Sequence, residues 1–133
     1  MNRFMHCVNM FFEECNKSFR IDKTGKMKVI CSTGISKHIN DVTELSSGEK
    51  QIVAMLGSLI FLHDDSNPEA YFIDEPEVSL HLSWQDIFVD ALLKACPQYQ
   101  FVLATHSPNI IAKDERQSWC EDLSPKFLRN EVR

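Results

Sequence analysis

Two adjacent carboxylates, Asp74 and Glu75, follow a short apolar run from Ala70 to Ile73 and are well placed to do chemistry. The run predicts a buried strand. Pro76 stops it, because proline has no backbone donor for a sheet ladder. An open α/β sheet gathers its site at the C-terminal tips of its strands. Neighbouring carboxylates repel, so a cation or a shared proton must hold them together. With a divalent metal, one can face the ion while the other works as a base. The plain alternative is a solvated acidic turn. A second apolar run, Gln100 to Thr105, also ends in polar chemistry, Thr105-His106-Ser107-Pro108.

A different kind of end sits upstream, at Leu45-Ser46-Ser47-Gly48-Glu49-Lys50-Gln51. Ser46 with Glu49 three residues on is a capping box, and it opens the apolar run Ile52 to Leu62. Such an end presents backbone donors that attract an anion, phosphate above all, although capped helices without a ligand are common. The helix is apolar almost all round and is expected to be buried centrally. His63-Asp64-Asp65 after it reads as a solvated loop.

These residues need elements to position them. Trp84, Ile87, Phe88, Ala91, Leu92 and Ala95 recur on one face of a helix that ends near Pro97. Strand, helix and strand then make a βαβ unit with parallel strands, and Asp74, Glu75 and His106 fall on one sheet edge. Ser107 with Pro108 starts a further helix. Upstream, Phe4, Val8, Phe11, Phe12 and Cys15 predict an amphipathic helix over residues 3–15. Ser18 to Asp22 and Lys26 to Cys31 alternate around Lys23-Thr24-Gly25, which reads as a hairpin. The Lys-Thr-Gly-Lys run lacks the spacing of a phosphate loop. The stretch 113–133 is a polar tail, with a short strand expected near Trp119–Leu123.

The chain has 133 residues, enough for one domain and one sizeable core. Its net charge of −5 argues against a generally basic, nucleic-acid-coating surface. The five cysteines are scattered and odd in number, which reads as reduced thiols in a cytoplasmic protein. No signal peptide and no membrane span are expected.

Taken together, the motifs resemble the C-terminal half of an ABC-type ATPase head, a P-loop NTPase of α/β class. Residues 45–51 look like the signature motif, and Tyr71-Phe72-Ile73-Asp74-Glu75-Pro76-Glu77 looks like Walker B with its glutamate. Ser79-Leu80-His81 matches the D-loop, and Thr105-His106-Ser107-Pro108 the switch-histidine loop. The likeness covers about residues 40–112, within a single partial head domain over 1–133. Its parts are a signature helix at 45–63, Walker B and D-loop at 70–82, and a switch loop at 104–109. The wording is similar to OLD-, RecF- and SMC-like ATPases, nearest to those of retron and Septu antiphage systems or of DNA repair. Ser83 stands where a proline is common in that group. The glycines Gly25, Gly34, Gly48 and Gly57 build no Walker A loop. The chain is thus expected to need a Walker A-containing half and to be inactive alone.

The resemblance implies ATP and Mg²⁺ as cofactors. It implies Asp74 as the metal residue, Glu75 and His106 as catalytic, and Ser46, Ser47, Gly48 and Glu49 as signature contacts to a nucleotide held by the opposite protomer. Ser79, Leu80 and His81 would line the dimer contact. A homodimeric or higher ATPase assembly is implied, with a nuclease or other effector partner, DNA possible and no membrane. Two other functions are compatible with the residues: a nucleotide-sensing binding subunit without chemistry, and a metal hydrolase using Asp74, Glu75, Glu77, His81 and His106. The second lacks a recognised ligand spacing.

Overall fold

A computed structural model describes residues 2–33, 36–62, 70–111 and 114–123. Helix α1 (Asn2–Phe12) continues into one 3-10 turn at Glu13–Cys15. Asn16 closes it in the left-handed region, at φ 55°, a conformation that asparagine tolerates better than most residues. Strands β1 (Lys17–Ile21), β2 (Met27–Thr33) and β3 (Ser36–Asp41) form an antiparallel sheet in that order. Helix α2 (Ser47–Phe61), strand β4 (Ala70–Asp74), helix α3 (Leu82–Ala95) and strand β5 (Gln100–Ala104) follow, then the short helices α4 (Pro108–Ile111) and α5 (Asp114–Gln117).

The hairpin and the βαβ unit form as expected. Gly25 takes φ +83° in the turn between β1 and β2. Strands β4 and β5 are parallel, with Asp74 level with Ala104. The third strand, β3, was not anticipated. Its residues are polar apart from Ile39, which is 67% exposed, so the sequence carries no buried alternation there. No strand forms near Trp119–Leu123, where the chain follows α5 as turn and coil.

The core gathers around α1. Phe4, Cys7, Val8, Phe11 and Phe12 are all buried, at the spacing of one helix face. They meet Phe19 of β1 and Trp84 of α3: Phe4 and Phe12 stand edge-on to Phe19, and Phe11 edge-on to Trp84. Asn9 docks the helix on the sheet edge. Its amide donates to the Phe19 carbonyl at 3.1 Å, and its carbonyl accepts the Phe19 N–H at 2.6 Å. The outer edge of β1 is thus paired by a side chain.

Two burial expectations need correction. Helix α2 buries Ile52, Leu56 and Leu59, while Ala54 and Phe61 are exposed. The strands β4 and β5 are half covered. Tyr71, Ile73, Phe101 and Leu103 pack on the core. Phe72 and Val102, paired in register, are 77% and 42% exposed on the other face.

Helix α2 is fastened to the sheet by charge. Glu49 is 3% exposed, and its Oε1 pairs with Lys17 Nζ at 2.6 Å. Its Oε2 accepts the Ser46 N–H at 2.8 Å, completing the capping box. Burial alone would push the Glu49 carboxyl up, but Lys17 and Ser46 outweigh it and hold the carboxyl below its ordinary value. The hydrogen bond that Lys17 donates to Glu49 raises the lysine. The same helix end sits hard against the chain after β4: a Cβ on Gly48 would lie 2.5 Å from the Ser79 carbonyl oxygen.

Two predictions follow from these contacts. Lys17→Met should lower stability by roughly 1.5–3 kcal/mol at neutral pH, as a charged hydrogen-bond partner is lost. The wild-type contribution of Glu49 is complete above its ordinary pKa of 4.5 and fades as pH falls through the depressed value. That of Lys17 is complete below 10.5 and fades as pH rises through the raised value. Denaturant unfolding at several pH values should therefore show the largest difference between wild type and variant in the neutral range. Gly48→Ala should cost on the order of 1–3 kcal/mol, because backbone must move to admit the methyl. Gly57→Ala meets only Phe4 at 3.6 Å and should be stabilising by about 0.5–1 kcal/mol. Thermal unfolding of the pair separates crowding at Gly48 from a general effect of removing glycine.

Candidate active site at the tips of the parallel strands

The βαβ connection delivers two polar loops to one edge. Asp74 is the last residue of β4 and is exposed. Glu75 extends the ladder by one bond, its N–H donating to the Ala104 carbonyl at 2.8 Å. It does so at φ 47°, in the left-handed region. The chain then makes two successive tight turns, with Val78 N–H to Glu75 O at 3.1 Å and Leu80 N–H to Glu77 O at 2.9 Å. Ser79 lies between them at φ 79°. Two non-glycine residues in this region within five positions store strain of order 1–3 kcal/mol each. The reward is direction: the turn carries Glu75 toward the second loop.

There it meets His106. The His106 Nε2 lies 3.1 Å from Glu75 Oε1, with the two side chains 90% and 40% exposed. The pair is open to solvent, so a ligand can reach both groups. The expected convergence of Asp74, Glu75 and His106 on one edge is what the fold presents. A carboxylate in contact with an imidazole, beside a second carboxylate, can accept a proton from water and can hold an anion through the ring N–H.

Glu77 is the residue whose part the sequence did not disclose. Its Oε2 accepts the Thr105 hydroxyl at 2.6 Å, and its Oε1 accepts the His106 backbone N–H at 2.6 Å. Burial opposes its charge, yet the Thr105 hydroxyl, its own backbone N–H, the His106 amide and the neighbouring Glu75 carboxyl together more than compensate and hold its carboxyl below the ordinary range. Both Glu77 oxygens are thus engaged by the second loop. The signal was the third acid of Asp-Glu-Pro-Glu, but nothing in the spacing says that it faces the next strand's loop.

The other expected site residues form a second group. Ser46 and Ser47 are exposed at the start of α2, and Gly48 and Glu49 are buried. Both Glu49 oxygens are used within the chain. Ser46, Ser47, Gly48, Ser79, Leu80 and His81 line one shallow depression. The start of α3 is clear: His81 caps it, its Nδ1 accepting the Ser83 N–H at 3.4 Å. His81 therefore stands apart from Glu75 and His106. Among the described residues, no three His, Cys, Asp or Glu side chains converge as a metal-ligand set, which disfavours the five-residue hydrolase centre. A lone exposed Asp74 does suit Mg²⁺, which keeps several waters and binds through one or two carboxylates plus substrate phosphates. No helix of the described residues is long and apolar enough to cross a membrane.

Known proteins share parts of this sequence. The chain is 31% identical over 96 residues to the retron Ec83 probable ATPase of Escherichia coli, covering 65% of this chain and 18% of that protein. It is 35% identical over 79 residues to the retron Vc95 probable ATPase of Vibrio cholerae, covering 53% and 15%. The chain thus spans less than a fifth of the length of the curated relatives it matches. A family model described as "AAA domain, putative AbiEii toxin, Type IV TA system" matches residues 37–112. That stretch takes in the capped start of α2, the βαβ unit and both polar loops, and an ABC-type head is a finer assignment than the match itself makes. Matched over more than half its length, the chain belongs to this AAA-domain family.

Proposed function

We infer that this chain supplies the signature, Walker B, D-loop and switch-histidine part of an ABC-type ATPase head, in an ATPase of retron-like antiphage defence. The observation that carries the reading is the Glu75–His106 contact at the tips of parallel strands, beside Asp74. The names of the retron relatives support ATP hydrolysis and a retron setting. DNA repair is the other setting in which such heads work.

In this reading Glu75 accepts the proton of the attacking water, and His106 contacts the terminal phosphate. Asp74 holds Mg²⁺, which neutralises phosphate charge when bound. Ser46, Ser47 and Gly48 meet the phosphate of a nucleotide carried by a second protomer, where the α2 N-terminus offers unpaired backbone donors. Glu49 shapes that end from within. Ser79, Leu80 and His81, packed against Gly48, line the contact between protomers. The 133 residues contain no G-x-x-x-x-G-K-[ST] stretch, so a Walker A-containing half completes the site. The assembly is a nucleotide-sandwich dimer or a higher form, and its output is a nuclease or other effector acting on nucleic acid. A nucleotide-sensing subunit without chemistry is the second reading, favoured by that missing stretch.

Three outcomes test the proposal. The 133-residue chain alone should neither bind ATP tightly nor hydrolyse it. Micromolar binding with Mg²⁺-dependent turnover would show that the site is complete here. In the assembly that supplies the Walker A loop, Glu75→Gln should slow single-turnover hydrolysis by roughly 10²–10⁴-fold while the ATP-bound dimer persists on sizing. Hydrolysis at the wild-type rate would mean that Glu75 is not the base. Ser46→Arg should abolish ATP-driven dimerisation and spare ATP binding. A variant that still dimerises would reduce Ser46 to a helix cap.

A further inference from the structure

Thr105 and His106 belong to neither a helix nor a strand, since β5 ends at Ala104 and α4 begins at Pro108. The His106 imidazole is 90% exposed, so packing does not orient it. The Glu75 contact and the backbone beneath it must. That backbone is held from two sides. On one side Glu77 accepts the Thr105 hydroxyl and the His106 N–H, both at 2.6 Å. The Thr105 oxygen, so oriented, accepts the Ser107 N–H at 3.0 Å. On the other side the buried Ser107 hydroxyl donates to Gln85 Oε1 at 2.6 Å, and Gln85 Nε2 donates to the Leu80 carbonyl at 3.1 Å.

The two fastenings differ in kind. Gln85 and Ser107 are a neutral buried pair that any well-packed loop could use. Glu77 is a carboxylate spent on a hydroxyl and a backbone amide, 28 and 29 residues away in sequence. Bonds to a charged acceptor are shorter and roughly twice as strong as neutral ones. Glu77 lies two residues after Glu75 on the same strained turn. One short segment therefore carries the carboxylate that touches the His106 ring and the carboxylate that holds the His106 backbone.

We propose that Glu77 is the positioning residue for His106, a clamp across the two loops that sets the separation between the imidazole and Glu75. The role extends the reading of Glu75 and His106 as the reacting pair and rests on it. It also assigns the two glutamates different work. Glu75 touches the His106 ring, while Glu77 holds the backbone beneath it.

The test has a structural and a kinetic arm. In the 133-residue chain, amide exchange at His106 is followed by NMR in wild type, Glu77→Ala, Thr105→Val and Thr105→Ser. Loss of the carboxylate should speed His106 exchange by roughly 10- to 100-fold and leave the α3 amides unchanged. Thr105→Val removes one arm of the clamp without touching the carboxylate, so it serves if Glu77→Ala does not fold. It should give a smaller rise, and Thr105→Ser should restore protection. In the ATP-hydrolysing assembly, Glu77→Ala should lower kcat by a similar factor, with KM for ATP within about 3-fold of wild type. Wild-type exchange at His106 in Glu77→Ala overturns the clamp. Faster exchange with unchanged kcat overturns its positioning role. Equal loss in Thr105→Val and Thr105→Ser overturns it too, because the hydroxyl would not be what matters. A wild-type assembly that binds ATP without turnover removes the reading of Glu75 as base, and the exchange arm still decides whether Glu77 sets His106.

Discussion

Parallel strands cannot be joined by a tight turn, and the rest of this structure depends on that constraint. The chain must travel back along α3 before β5 can begin, so both strands end at the same edge. Their register puts Asp74 beside Ala104, and each residue after the tip is delivered to the same neighbourhood. The Glu75–His106 contact is therefore a consequence of topology. What topology leaves undetermined, the last ångström and the direction of each side chain, is supplied by the left-handed backbone at Glu75 and the carboxylate of Glu77.

The two candidate groups share a joint. Gly48 brings the start of α2 against the Ser79 carbonyl so closely that no side chain fits between. Ser79 belongs to the turn that begins at Glu75, and Leu80 is tied through Gln85 to Ser107. The helix end that suits an anion and the strand tips that suit a reaction are thus linked by short, directional contacts.

Much of this was legible in the sequence. The helix face of α1, the hairpin, the capping box and the crossover unit have strong local signals: helical spacing at Phe4, Val8 and Phe11, alternation around Gly25, and Ser46 with Glu49. The shared edge of Asp74, Glu75 and His106 follows from the crossover alone. Three features escaped. Strand β3 is an edge strand whose only large apolar residue points outward, so it has no periodic pattern to read. The half-covered state of β4 and β5 depends on which neighbours are present, and an apolar run is silent on that. The clamp at Glu77 is a contact between loops distant in sequence, and only coordinates bring its partners together.

Asn9 has a consequence for how the antiparallel sheet meets other chains. By pairing both backbone groups of Phe19 with a side-chain amide, it occupies the middle of the β1 border from inside the molecule. Exposed strand borders are where chains add to one another. Among the described residues the opposite border of the sheet is β3, whose sequence Ser36-Lys37-His38-Ile39-Asn40-Asp41 brings little apolar residue content to such an addition.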